Sequence, residues 1–367
     1  MPASRVHIRR LNNSPGSVII LGGSNGYSQD AMKLVFVLLL CLLRTLPTSS
    51  ITCRDEKGNS VDWFIGYKLP RSFKYVYLNP NTSEWKLSKE LVTDGGMLRK
   101  TYNDMFQLKN RHSAAYGMYN DQLPKDEYIE GAIAFDNSSG IWIIHSIPKL
   151  SEDPDHYQYP RTGKKYGQHM LCISLHSTYL LPVVEQLRIS KPQFMSTYIS
   201  EDWKEKYPRL SALFDGDYEA EVKNKISPFE TLESTMKMIH FSKSSSFNND
   251  LYEQLVAPRL GLALQVETWR HGRSEPSVCN GTVPWVINIM ELKFVNPPRL
   301  YSSYDDHAKW AATVPKSSVN KPENMWTCLG DINRMFSQYH RGGGTMCIKN
   351  AVIWEAFSDL LDSCVEI

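Results

Sequence analysis

Residues 131–135, Gly-Ala-Ile-Ala-Phe, and residues 141–145, Ile-Trp-Ile-Ile-His, are two apolar runs joined by Asp-Asn-Ser-Ser-Gly at 136–140. Two such runs around a cluster of turn formers read as a β-hairpin. Upstream, residues 61–69 (VDWFIGYKL) are rich in aromatic and β-branched side chains and are closed by Pro70, the profile of a buried strand. Downstream, residues 262–269 alternate like a strand and residues 284–295 read as another. Helices are expected over residues 84–110, interrupted at Gly95-Gly96, from a cap at Asn249-Asp250 to Leu260, and over residues 351–361. Residues 171–187 are apolar and interrupted by Pro182. Strands and helices are thus interspersed, which predicts a mixed α/β architecture with the polar stretch 190–246 holding the junction between two halves.

The 367 residues, 42% hydrophobic and 22% charged, suffice for a sizeable core and are too ordinary in composition for disorder, collagen or a coiled coil. The strongest apolar stretch, residues 34–43, lies between Lys33 and Arg44 and is followed by Thr48, Ser49 and Ser50. It is too short to span a bilayer and reads as a secretory signal peptide within residues 1–50, cleaved near Ser50. Because Met32 directly precedes Lys33, translation is expected to start there, with residues 1–31 a gene-model extension. Removing the leader takes away Arg5, Arg9, Arg10, Lys33, Arg44 and Asp30, so 36 basic residues face 38 acidic ones and the formal charge drops from +2 to −2. The remaining nine histidines, if all unperturbed, would take that charge toward about +7 near pH 5, a candidate pH switch for polyanion binding.

Seven cysteines less Cys41 of the leader leave Cys53, Cys172, Cys279, Cys328, Cys347 and Cys364. An even count behind a signal peptide reads as three disulfides whose pairing the spacing leaves open. Sequons at Asn81, Asn137 and Asn280 fit the same oxidising, glycosylating route. With no Cys-x-x-Cys pair and no dense Cys/His cluster, no metal is expected.

The chemistry concentrates late in the chain. Asp306-His307-Ala308-Lys309-Trp310 carries a His-x-Lys pair which, on an extended segment, puts an imidazole and an ammonium on one face. Such a pair suits phosphoryl transfer, since histidine can attack phosphorus or protonate a leaving oxygen while lysine neutralises the non-bridging oxygens. Trp326-Thr-Cys-Leu-Gly-Asp331-Ile-Asn333-Arg334 follows, then Arg341 and three glycines before Cys347. The glycines read either as an anion-binding backbone turn or as a flexible turn beside a disulfide. His145, at the end of the hairpin, is a candidate second acid/base group or a hydrogen-bonded strand-end histidine. The other histidines, His112, His156, His169, His176, His240, His271 and His340, have no informative neighbours.

Together VDWFIGYKLP (61–70), MYNDQLP (118–124), SGIWIIHSIP (139–148), YGQHMLC (166–172), FSK (241–243), NDLY (249–252), LQVETW (264–269), DHAKW (306–310), WTCLGDINR (326–334) and RGGGTMC (341–347) resemble the deoxyribonuclease II family of acid endonucleases. The resemblance covers nearly all the chain after the leader. It implies a phospholipase-D-like pseudodimer, two α/β halves (about 51–190 and 191–367) each giving a His-x-Lys motif to one cleft. It implies metal-independent, cofactor-free cleavage of DNA at acid pH to 3′-phosphate ends, in lysosomes or secretions, with no membrane anchor. It also implies the disulfides Cys53–Cys172, Cys279–Cys364 and Cys328–Cys347.

The second-half motif is present as His307 and Lys309, supported by Asp331, Asn333 and Arg341. In the first half the family's Gly-His-x-Lys-Gly falls on Glu127-Tyr-Ile-Glu-Gly131, with Tyr128 in place of histidine and Glu130 in place of lysine. A phenol needs a cationic neighbour to act as a nucleophile, and Glu130 has the wrong sign for phosphate and phenolate alike. Two functions stay open at this point: an acid endonuclease, weakened or not, using His307, Lys309 and His145, and a secreted DNA- or polyanion-binding pseudoenzyme.

Overall fold

The computed structural model describes residues 50–120, 129–151, 156–218, 222–277, 285–314 and 321–364, with side chains to residue 360. The leader, Tyr128, Cys279 and Asn280 lie outside the described residues. Strands β1 (Cys53–Arg54) and β2 (Ser60–Val61) form a small ribbon ahead of β3 (Trp63–Lys68), β4 (Lys74–Leu78), β5 (Lys86–Leu91), helix α1 (Gly96–Phe106) and β6 (Ala114–Tyr119). The expected hairpin is β7 (Gly131–Asp136) and β8 (Ser139–His145), followed by β9 (Gln168–His176), α2 (Leu180–Ser190), β10 (Phe194–Ile199), α3 (Glu201–Lys206) and α4 (Pro208–Phe214).

The second series is β11 (Asn224–Glu230), β12 (Lys237–Lys243), a π-helical turn (Tyr252–Val256) running into α5 (Ala257–Leu260), and β13 (Ala263–Glu267). It continues with β14 (Val286–Phe294), β15 (Arg299–Ser302), β16 (Trp310–Val314), β17 (Trp326–Gly330), β18 (Gly343–Lys349), α6 (Ala351–Ser358) and β19 (Leu361–Cys364). Asp250 does cap the 252–260 helix, its Oδ1 accepting from the Glu253 N–H at 2.7 Å.

Two expectations change. Residues 86–91 are the edge strand β5 rather than helix, and the helix begins only at Gly96. Only Ser88 of KLSKEL is buried, so its charges, which suggest a solvated helix face, instead line a protected sheet edge. The 171–187 stretch divides into β9 and α2, with Pro182 in the first turn of the helix, where its missing N–H costs no hydrogen bond.

The first sheet has the order β10-β6-β7-β8-β9-β3-β4-β5 and the second β11-β12-β18-β17-β16-β13-β14-β15, with β19 beside β14. Alternation along the central strands sends successive side chains to opposite layers. Ile65, Tyr67, Trp142, Ile144, Trp310, Leu329 and Met346 meet between the sheets, joined by Val183 and Leu187 of α2 and Ile353 and Phe357 of α6. Phe64, Ile141 and Ile143 face a second layer covered by Met97, Leu98, Tyr102 and Met105 of α1. Phe241, Leu264, Val266 and Ala311 face a third under the 252–260 helix. This is a mixed α/β protein of two large sheets packed face to face.

One strand order occurs twice. β6-β7-β8-β9-β3 and β13-β16-β17-β18-β12 are both wholly antiparallel runs, entered by the chain in the same sequence. Their registers agree: Phe64 and Ile143 flank Cys172 as Ile239 and Cys328 flank Cys347, and Gly131 opposes Ile144 as Trp310 opposes Leu329. Glu130 therefore stands where Lys309 stands in the other run, and Lys68 stands where Lys243 does. Cys53–Cys172 and Cys328–Cys347 are bonded.

Trp142 is 1% exposed, its Nε1 donates to the Tyr119 hydroxyl at 2.9 Å, and its ring lies 5.7 Å from Phe229 and 4.5 Å from His240 of the other sheet. Trp142→Ala is expected to cost about 3–5 kcal/mol in urea unfolding, the usual range for emptying an aromatic core site. A loss below about 1 kcal/mol would show that the two sheets do not depend on this contact.

Candidate active site

The Asp306–Lys309 segment enters β16 by lying against the start of β9. Gly167 N–H donates to Asp305 O at 2.8 Å, His307 N–H donates to Gly167 O at 3.0 Å, and Lys309 N–H donates to His169 Nδ1 at 3.2 Å. Asp306 is fully buried and accepts from the hydroxyls of Tyr67 (2.7 Å) and Tyr301 (3.1 Å) and from Ala308 N–H (2.8 Å). Burial raises its pKa, while these donors and Lys68 oppose the shift. A Cβ on Gly167 would sit 2.6 Å from Asp306 Oδ1, so only glycine lets the strands approach.

His307 is held between two aromatic rings, Tyr166 at 4.4 Å and nearly parallel (18°), and Trp269 at 4.1 Å. Burial, followed by the charges of Lys309, His271, Lys68 and Lys165, pushes its pKa down to about 3. Among the described residues its Nε2 makes no hydrogen bond. A neutral imidazole keeps a lone pair in acid, which a nucleophile requires. Lys309 Nζ lies 3.9 Å from Glu130 Oε2, with both side chains largely buried.

Asp331, just past β17, accepts from Gly344 N–H at 2.7 Å and is pushed up to about 7 by burial. The glycine run serves close approach. Gly343 has φ +154°, and a Cβ there would meet Asp331 Oδ1 at 2.4 Å, while one on Gly342 would meet Ser190 O at 2.1 Å. Asn333 Oδ1 accepts from the Trp269 main-chain N–H at 3.2 Å and so anchors the backbone of the residue whose ring covers His307. Arg334 anchors the same segment through Glu253 Oε2 (3.1 Å), Asn288 Oδ1 (3.0 Å) and Pro276 O (2.6 Å).

His307, Lys309, Asp331, Asn333 and Arg341 line one pocket of about 260 Å³, together with Glu130 and Trp269. His145 does not line it. It is buried behind Lys309, its Nδ1 accepts from Ile147 N–H at 3.2 Å, and burial followed by Lys309 lowers its pKa to about 3. Sequence reasoning passed over Trp269, Tyr166 and His169, because stacking and main-chain partners from distant strands leave no local pattern. His145, His169, His240 and His307 are all driven toward the neutral form by burial. This corrects the expected charge switch, which loses four of the nine histidines counted toward it. Among the described residues no three His, Cys, Asp or Glu side chains gather as a metal site.

A neutral imidazole, an ammonium and a protonatable carboxyl converging on one polar pocket define a site suited to phosphoryl chemistry. The sequence model for deoxyribonuclease II matches residues 52–367. Human Deoxyribonuclease-2-beta is 33% identical over 89% of this chain and 96% of its own length. Cell death-related nuclease 6 of Caenorhabditis elegans is 30% identical over 90% and 93%, and Deoxyribonuclease-2-alpha of Sus scrofa 30% over 88% and 93%. The chain belongs to the deoxyribonuclease II family.

The raised pKa of Asp331 has a stability consequence. A carboxyl that binds its proton more tightly folded than unfolded stabilises fully below the unfolded value, near 3.8, and this stabilisation is lost as pH rises through about 7. Asp331→Asn, which mimics the protonated form, is expected to remove roughly 2 kcal/mol of the stability that wild type gains between pH 7 and pH 5. Urea unfolding at the two pH values measures it, and identical pH dependence in both proteins would contradict it.

Proposed function

We propose that the protein is a deoxyribonuclease II-like acid endonuclease that hydrolyses DNA phosphodiesters to 3′-phosphate ends through His307, with activity reduced by the altered first-half motif. The observation that carries this reading is the ring-stacked His307, pushed toward its neutral form by burial, beside Lys309 in the pocket. The neutral imidazole attacks phosphorus and forms a P–N bond as the P–O5′ bond breaks. Lys309 and Arg341 neutralise the non-bridging oxygens, and Asp331, protonated below about 7, delivers the proton to the leaving 5′ oxygen. Water, deprotonated by the Asp331 carboxylate left behind, then cleaves the P–N bond and releases the 3′-phosphate. His145 and Asn333 support the site from behind, beside Lys309 and Trp269. No metal or cofactor takes part in this scheme.

The twice-used strand order supports a phospholipase-D-like pseudodimer with halves near 51–190 and 191–367. In that arrangement Glu130 occupies the position of Lys309, and Tyr128, the expected counterpart of His307, lies outside the described residues. A second reading has its own observation: Glu130 places a carboxylate within 3.9 Å of Lys309 Nζ, where a phosphate would compete for the ammonium. On that reading the protein binds DNA or another polyanion and cleaves it poorly or not at all. Passage through the secretory pathway to a lysosome or the exterior, after cleavage of residues 1–50, is supported by the apolar run 34–43, by the two disulfides and by the exposed sequon residues Asn81 and Asn137. Asn280 and the Cys279–Cys364 bridge complete the proposed glycoprotein. Among the described residues no helix is long and apolar enough to cross a membrane.

Mature protein incubated with plasmid at about pH 5 in EDTA is expected to nick it slowly. His307→Ala should abolish nicking, and Tyr128→His/Glu130→Lys should accelerate it by roughly 10²–10⁴. Cleavage that survives His307→Ala would contradict the nuclease assignment. Cleavage seen only in the double variant would favour the binding protein.

A further inference from the structure

Two lysines outside the pocket occupy equivalent places in the two sheets. Lys68 ends β3 opposite the first residue of β9, Gln168, and Lys243 ends β12 opposite the first residue of β18, Gly343. Both are fully buried. Among the described residues neither ammonium is paired with a carboxylate: each is turned onto main-chain carbonyls of the loop that leads into the neighbouring strand. Lys68 Nζ donates to Lys164 O at 3.1 Å and to Tyr166 O. Lys243 Nζ donates to Gln338 O at 2.9 Å, Tyr339 O at 3.0 Å and Arg341 O.

The residues these loops present face the same site. The Tyr166 ring stacks on His307, and Gln338 and Arg341 line the pocket. We propose that Lys68 and Lys243 are a matched pair of positioning residues, each ammonium gathering the carbonyls of one loop so that Tyr166 on one side and Arg341 on the other are presented to the pocket. The proposal rests on reading that pocket as the functional site.

The donor count ties the device to acid. An ammonium has three N–H donors, which the three carbonyls at Lys243 use completely, whereas a neutral amine has two donors and a lone pair that would face a carbonyl oxygen. Burial lowers Lys68 to about 7, opposed by Asp306, and Lys243 to about 8, opposed by Asp250 and Asp331 and reinforced by Arg341. The Lys243 clamp is complete at acid pH and loses a needed donor as pH rises past about 8, whereas the Lys68 clamp, with two carbonyls, keeps two donors past about 7 but loses the charge that strengthens them.

Hydrogen–deuterium exchange on the mature protein tests this without requiring catalysis. After correction for intrinsic exchange, amides of 164–168 and 338–344 are expected to exchange about tenfold faster at pH 9 than at pH 5.5. At pH 5.5, Lys68→Met should release only the first segment and Lys243→Met only the second. Equal protection of both segments at both pH values would overturn the proposal, and the wild-type series decides this even where a variant fails to fold. Binding of a short DNA duplex at pH 5.5, expected to weaken about tenfold in Lys243→Met, keeps the two readings apart. A wild type that binds no duplex overturns the functional reading and leaves the exchange result to judge the clamps.

Discussion

The site depends on the docking of one extended segment, residues 305–309, onto the start of β9. Main-chain bonds through Gly167 and the His169 ring hold it, and the buried Asp306 carboxylate, gripped by Tyr67 and Tyr301, locks it in place. The tyrosine hydroxyls satisfy a carboxylate that would otherwise be costly to bury. Everything that makes His307 unusual follows from this placement: it is carried beneath Tyr166, closed from the other side by Trp269, and desolvated enough to stay neutral in acid. The histidine comes from one sheet and half of its environment from the other, so neither sheet alone could make the site.

The repeated strand order sharpens the contrast between the two halves. Register, independently of motif matching, sets Glu130 opposite the role of Lys309. A cation there would add a second positive charge to the pocket, whereas the carboxylate forms an ion pair with the first. Buried pairs of this kind contribute little net stability but make either partner costly to remove. A carboxylate at this place leaves the pocket with a lysine that is partly neutralised.

Much of this was legible in the chain. The 131–145 hairpin, the strand at 63–68, the Asp250 cap and the His307/Lys309 pair all announce themselves through short-range patterns of alternation, turn chemistry and spacing. The edge strand at 86–91 did not, because its alternating charges satisfy a solvated helix face equally well. Nor did the partners of His307, since Tyr166 and Trp269 reach it from other strands and only the folded register brings them together. The histidines misled for a related reason: composition counts titratable groups, but burial decides which of them titrate.

Histidine-selective NMR titration of the mature protein addresses the central claim, that docking and ring stacking keep His307 neutral in acid. Assigned through His307→Gln, its ring resonances should remain those of a neutral imidazole at pH 5, with protonation only near pH 3. A midpoint near 6.5, the value of an unperturbed histidine, would contradict the account.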